Sequence, residues 1–174
     1  VITGTGSKSY WKVLWDRVAG DEKANIINVE DMDTHETEDI DEIQIYKEIT
    51  DKLGIVPIRL TYFPQNMFLS SYEIDESQNR AVLLYQYKGQ IIQYSMYMND
   101  VDSSLGQIEV DRIIDEYDMN IETGIVFHVT EYQLEEIELT RFVAETEYRD
   151  VQYQIMGIIE KGEFEKIVEN MKIM

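Results

Sequence analysis

The stretch Arg80-Ala81-Val82-Leu83-Leu84-Tyr85-Gln86-Tyr87-Lys88-Gly89-Gln90-Ile91-Ile92-Gln93-Tyr94-Ser95-Met96-Tyr97-Met98 decides the fold. Ala81, Leu83, Tyr85 and Tyr87 alternate with Val82, Leu84 and Gln86. Past Lys88-Gly89, Ile92, Tyr94, Met96 and Met98 alternate with Gln93, Ser95 and Tyr97. Successive side chains of an extended chain leave on opposite faces, so period-two alternation rich in β-branched and aromatic residues marks strands. A two-residue break containing Gly joins them as a hairpin. This hairpin carries no catalytic pattern.

A second hairpin closes the chain in the same way. Phe142, Ala144, Thr146 and Tyr148 alternate with Arg141, Val143, Glu145 and Glu147; Arg149-Asp150 turns, and Val151, Tyr153, Ile155 and Ile159 alternate with Gln152 and Gln154. Upstream, Val56 to Tyr62 reads as one strand with Pro57 at its start, where a missing N–H is tolerated. Pro64-Gln65-Asn66 turns into a strand from Met67 to Ile74, and Asp75 to Asn79 turns again. Asn99 to Gly106 is a polar loop. Ile108 to Tyr117 fits strand or helix, and Gly124 leads into a strand from Ile125 to Tyr132.

Helical spacing appears in three places. Asp39 is the expected N-cap of a helix whose stripe is Ile40, Ile43, Tyr46, Ile49 and Leu53, with Glu42 three residues on and Gly54 ending it. Phe164, Ile167, Val168 and Met171 form a closing helix at i, i+3, i+4 and i+7. Trp11, Leu14, Trp15 and Val18 repeat that spacing near the start, closed by Gly20. Between them Asp21 to Asp39 is acidic, with Asn25 to Val29 as a short strand. The expected architecture is α+β: a twisted, mostly antiparallel sheet of about six or seven strands with helices packed on one face and an N-terminal amphipathic helix. Residues 1–38 form the helix and acidic linker, and 39–174 the domain.

The chain has 174 residues, enough to bury roughly 70% of its unfolded surface without a metal or disulfide staple. Asp and Glu number 35 against 15 Lys and Arg, a formal net charge of -20. That field repels phosphate backbones and anionic headgroups, so nucleic-acid binding and direct lipid adsorption are disfavoured. The absence of cysteine removes disulfides, thiol catalysis and Cys-zinc sites. No run approaches the ~18 apolar residues of a membrane span. The start at Val1 rather than Met leads us to expect a fragment of a chain with room upstream for an anchor or a leader.

Candidates for chemistry are few. His35 and His128 lack the convergent spacing of a zinc site, and both read as surface residues. The acids from Glu30 to Glu42 supply oxygens but no calcium-loop pattern, because the Gly at its sixth position is missing. A glycosidase needs two carboxylates about 5 to 10 Å apart, a spacing that 35 acids guarantee somewhere and that therefore carries no weight. Gly4-Thr5-Gly6 follows no strand, and no Gly-x-Ser-x-Gly elbow is present. The tyrosines of the strands, among them Tyr85, Tyr87, Tyr94, Tyr97, Tyr148 and Tyr153, read as ordinary half-buried sheet residues, with a ligand groove as the other reading. We therefore expect no catalytic residue, cofactor or metal. The candidate interaction surface is Trp11, Trp15, Tyr85, Tyr94 and Tyr97.

Leu53 to Met67, Ala81 to Tyr87, Ser103-Ser104-Leu105-Gly106 and Val151 to Gly157 with the last helix together resemble a bacterial domain-of-unknown-function family. That family forms the extracytoplasmic C-terminal domain of single-span, anti-sigma-factor-like membrane proteins of Gram-positive bacteria. The similarity covers roughly Asp39 to Met171, and Trp11 to Leu14 with the acidic linker resembles the membrane-proximal segment. The resemblance implies a non-enzymatic sensor or interaction domain outside the membrane, tethered by an upstream helix. Its expected partner is a protein or a cell-envelope ligand. Binding of a small apolar ligand, such as a lipid or cell-wall fragment, is the alternative.

Overall fold

Lys88 and Gly89 both adopt left-handed φ, 49° and 75°, and so make a two-residue turn that closes Tyr87 against Gln90. The right-handed twist of paired strands favours this turn, and glycine occupies its second position at no steric cost. The hairpin consists of β4 (Arg80–Tyr87) and β5 (Gln90–Met98). It sits in the middle of a sheet that grows from both sides of it.

The structure, a computed structural model, describes residues 42–98, 112–134 and 140–174, together with the backbone of 33–36. In chain order the remaining elements are β1 (Asp33–Glu36), α1 (Glu42–Leu53), β2 (Ile58–Arg59), β3 (Phe68–Asp75), β6 (Arg112–Asn120), β7 (Val126–Gln133), β8 (Thr140–Tyr148), β9 (Val151–Ile158), α2 (Lys161–Glu169) and β10 (Lys172–Ile173). Eight strands form one sheet in the order β1-β3-β4-β5-β9-β8-β7-β6, and β10 pairs with β2 in a small second sheet. Every described pairing is antiparallel. Two meanders thus meet at the centre: β3-β4-β5 runs outward to inward, and β6-β7-β8-β9 returns from the opposite edge. Of the segment Ile108 to Tyr117, open to two readings from its spacing, the described part from Arg112 lies in the edge strand β6.

Each face of the sheet can be followed as a row of cross-strand partners. On one face Tyr72, Leu83, Tyr94, Ile155, Ala144, Val129 and Tyr117 succeed one another from β3 to β6. This row belongs to the main core, together with Ile45, Tyr46 and Ile49 of α1 and Phe164, Ile167 and Val168 of α2. The rings of Phe142 and Phe164 stack with centroids 5.1 Å apart. Gly157 of β9 lies close against its neighbour on β5: a Cβ there would lie 2.7 Å from Cγ1 of Ile92.

Helix α1 ends where Gly54 (φ 68°) turns left-handed and donates its N–H to the Thr50 carbonyl at 2.8 Å. Glu42 in its first turn and Lys52 in its last complement the helix dipole. Its buried stripe is Ile45, Tyr46 and Ile49, with Leu53 partly buried against the core, whereas Ile43 is exposed. The helix is rotated about one residue from the stripe expected from spacing, because Ile45 fills the place beside Tyr46 that Ile43 was to take. Asp39 and Ile40 lie outside the described residues, as do the Trp11 helix, the Asn25–Val29 segment and the 99–106 loop.

Two further differences have physical causes. The expected strand from Val56 to Tyr62 contracts to Ile58–Arg59: the Val56 carbonyl and the Leu60 N–H go to tyrosine hydroxyls, while the Pro57 carbonyl accepts from the Met174 N–H beside the short β10 pairing. The sheet also gains β1 at its edge, opposite β3. That four-residue segment, Asp33-Thr34-His35-Glu36, is entirely polar and carries no hydrophobic period.

Candidate interaction surface

The core face fixes what the tyrosines do. Tyr94 donates its hydroxyl to the Ile58 carbonyl at 2.5 Å, and Tyr153 donates to the carbonyl of Val56. Tyr46 accepts the N–H of Leu60 at 3.0 Å. Three side chains from α1, β5 and β9 therefore clamp the 56–60 segment across the sheet. Tyr85 donates to Glu42 at 2.6 Å and Tyr72 to Glu48 at 2.7 Å, tying α1 to the strands. Burial pushes the phenols of Tyr46, Tyr85 and Tyr94 well above their ordinary range, so they remain neutral donors or acceptors.

At the other end of the hairpin, Glu160 precedes α2 without capping it by a side-chain bond. Its carboxylate turns instead to Lys88 and to the Tyr87 hydroxyl, and the Lys88 ammonium holds it below the usual carboxylate range. The β4–β5 turn and the start of α2 are joined there.

The opposite face carries a second cross-sheet row: Glu73, Val82, Ser95, Gln154, Glu145, His128 and Asp118. It is graded. Glu73, Val82, Ser95 and Gln154 are buried, and Gln154 donates to Glu145 at 2.6 Å. From Glu145 onward the row is open: the side chains of His128 and Asp118 are 48% and 65% exposed. Nδ1 of His128 lies 2.9 Å from Asp118 Oδ1, and Nε2 lies 3.2 Å from Glu116 Oε1. An imidazole meets two carboxylates with two donors only when protonated, and these bonds raise the His128 pKa.

β6 continues this open end. It is the terminal strand, and seven of its nine residues are exposed. Ile113 and Ile114 are 50% and 47% exposed, beside Asp115, Glu116 and Asp118. A register shift between Ile113 and Asp115 interrupts its ladder with β7, and the Glu116 N–H is taken by the Asp115 carboxylate at 2.9 Å. Lys161 reaches over from α2, 5.0 Å above the Tyr117 ring and 3.4 Å from Glu131. The surface that results is a strand pair carrying apolar and acidic side chains.

The residues singled out from sequence fall elsewhere. Tyr85 and Tyr94 lie wholly inside the core, and Tyr97 is buried on the opposite face. Trp11 and Trp15 lie outside the described residues, as does the side chain of His35, whose backbone sits opposite Tyr72. A groove of about 360 Å³ beside α1 is lined by Lys47, Thr50, Asp51, Ile55, Pro57 and Met174, with none of those tyrosines in it. Among the described residues no group of three or more His, Asp or Glu side chains is placed to hold a metal ion, and no helix is long and apolar enough to cross a membrane. Sequence reasoning missed the β6–β7 surface; the signal was available in the Ile113-Ile114-Asp115-Glu116 run, whose apolar residues keep neither period.

The chain is thus an α+β domain built on one large antiparallel sheet, whose edge strand β6 carries exposed apolar and acidic side chains side by side. The family model described as a domain of unknown function (DUF4367) matches residues 57–171, and the chain belongs to that family. No curated protein and no solved structure matches it significantly.

Proposed function

We propose that this is a non-enzymatic sensor or interaction domain, positioned outside the cell membrane on a membrane-anchored, anti-sigma-factor-like regulator. The observation that carries the reading is how side chains divide between scaffold and surface. The core tyrosines spend their hydroxyls on the backbone and on helix carboxylates, which leaves them nothing to offer a substrate. The exposed side chains of β6 and β7 offer apolar and charged contacts without a nucleophile, a base poised on one, or a metal cradle. The resemblance to membrane-anchored regulators supports the location and the regulatory role.

The test is made on the complete reading frame, tagged at its C-terminus. Protease added to intact protoplasts should digest the tagged domain, and deleting residues 39–174 should change the response of the regulated genes. A domain protected from external protease, or a reading frame without an upstream apolar span or lipidation signal, sinks the proposal. A second reading, the binding of a small lipid or cell-wall fragment, is favoured only by the groove at Ile55, Pro57 and Met174. Saturable perturbation of those residues by such a fragment would promote it.

A further inference from the structure

We propose that β6 is a strand-addition site for an extended segment of a partner protein that carries lysine or arginine. This rests on the interaction reading above and gives the partner a chemistry. Among the described residues, β6 exchanges backbone hydrogen bonds with β7 alone, and its outer edge has no neighbouring strand. An open edge presents a row of N–H and C=O groups to which another extended chain can add. Here that row is nine residues long, which is longer than most strands.

The side chains decide which chain can add. Asp115, Glu116 and Asp118 project from the edge strand; Lys161 lies 3.9 Å from Asp115 and also reaches Glu131 of β7, and His128 is shared by Glu116 and Asp118, so four carboxylates face two cationic side chains. A second copy adding through β6 would bring its own Asp115, Glu116 and Asp118 to the same edge against a single Arg112, in a molecule whose formal net charge is already -20. Like charges directly opposite destabilise a strand pair, and opposite charges support it. The acids and the register shift after Ile113 protect the edge against self-association while leaving it complementary to a basic strand. Ile113 and Ile114, half exposed, offer apolar contacts that reward alternation in the incoming segment. The Asp115 carboxylate that now takes the Glu116 N–H would give up that bond to an incoming carbonyl.

The probe is a synthetic eight-residue peptide alternating Val and Lys, with the Val/Glu counterpart as control, titrated into the full chain at about 0.15 M salt. Backbone amide shifts and exchange protection are read residue by residue. The Val/Lys peptide should saturate, shift residues 112–120 first and slow exchange of the outer amides of β6; the Val/Glu peptide should do neither. Two variants check the geometry. Glu116→Pro removes an outward N–H that is outside the β7 ladder, and Asp115→Lys with Asp118→Lys reverses the charge while leaving the backbone intact. Each should weaken the Val/Lys peptide at least tenfold, and the double variant guards against a proline that simply fails to fold.

Shifts scattered over all acidic surfaces without amide protection overturn the proposal, as does a chain that dimerises through β6 without peptide. Failure here leaves the extracytoplasmic reading intact if external protease still reaches the domain. Protection from that protease fails the broader reading whatever the peptide does.

Discussion

Tyr94 shows how one side chain sets the course of a distant segment. Its hydroxyl is buried in the sheet and donates to the Ile58 carbonyl. Tyr94→Phe keeps the ring and its packing but leaves that carbonyl without a donor inside the protein, which should cost about 1–3 kcal/mol in chemical denaturation. A loss below ~0.5 kcal/mol would mean that the 56–60 segment is held by its other contacts. His128 is a contrasting case, because its partners lie at the surface. Asp118 and Glu116 raise its folded pKa, while the unfolded chain keeps the ordinary value near 6.5. The stabilisation from this pair of contacts is therefore fully present below about pH 6 and is lost as pH rises through the folded pKa. Because all three side chains are about half exposed, the effect should stay below about 1 kcal/mol. The stability difference between the protein and His128→Asn should shrink from pH 5.5 to pH 8.5, with Glu145 of β8 facing the same ring across the ladder. A difference independent of pH removes the charged pairing from the account.

At the scale of elements, α2 tests how much the last helix contributes. Phe164 is fully buried and stacks on Phe142 of β8, while Ile167 and Val168 fill the same core. Phe164→Ala should therefore cost about 3–5 kcal/mol. A value under ~2 kcal/mol would show the helix relaxing into the gap. This helix and both hairpins were legible in the sequence, because an i, i+3, i+4, i+7 run and a period-two run each report one face directly. Legibility failed where a different interaction decided. The 56–62 segment has strand composition, yet tyrosines contributed by α1, β5 and β9 capture its backbone, and their reach is invisible in a local window. β1 is polar throughout, so only its pairing with β3 reveals it. In α1 the spacing allowed two neighbouring stripes, and packing against β3 chose the one with Ile45. The candidate surface was the least legible part. Aromatic residues signalled contact in the sequence, but tyrosines placed mid-strand went to the core, and the exposed edge is made of isoleucine and acids.

For the whole molecule the dominant quantity is charge. A formal -20 on 174 residues means that most carboxylates lack a basic partner, since only 15 Lys and Arg are available. Several of the described cations are already engaged, Lys88 with Glu160, Lys52 with Glu48, and Lys161 with Glu131. The remaining acids repel one another, and compaction brings them closer than they are in the unfolded chain. Raising ionic strength from about 0.01 M to 0.15 M shortens the screening length from about 30 Å to 8 Å. That range still leaves close ion pairs largely intact while removing repulsion across the surface. The midpoint of thermal unfolding should therefore rise with sodium chloride over this interval, steeply at first and levelling once the screening length falls below the spacing of surface acids. A neutral osmolyte at matched osmolality should not reproduce the curve, because exclusion from the protein surface has no such saturation at low concentration. A midpoint that falls with salt would mean that the few ion pairs outweigh the excess of acids, and it would also remove the electrostatic ground for expecting a basic partner at β6.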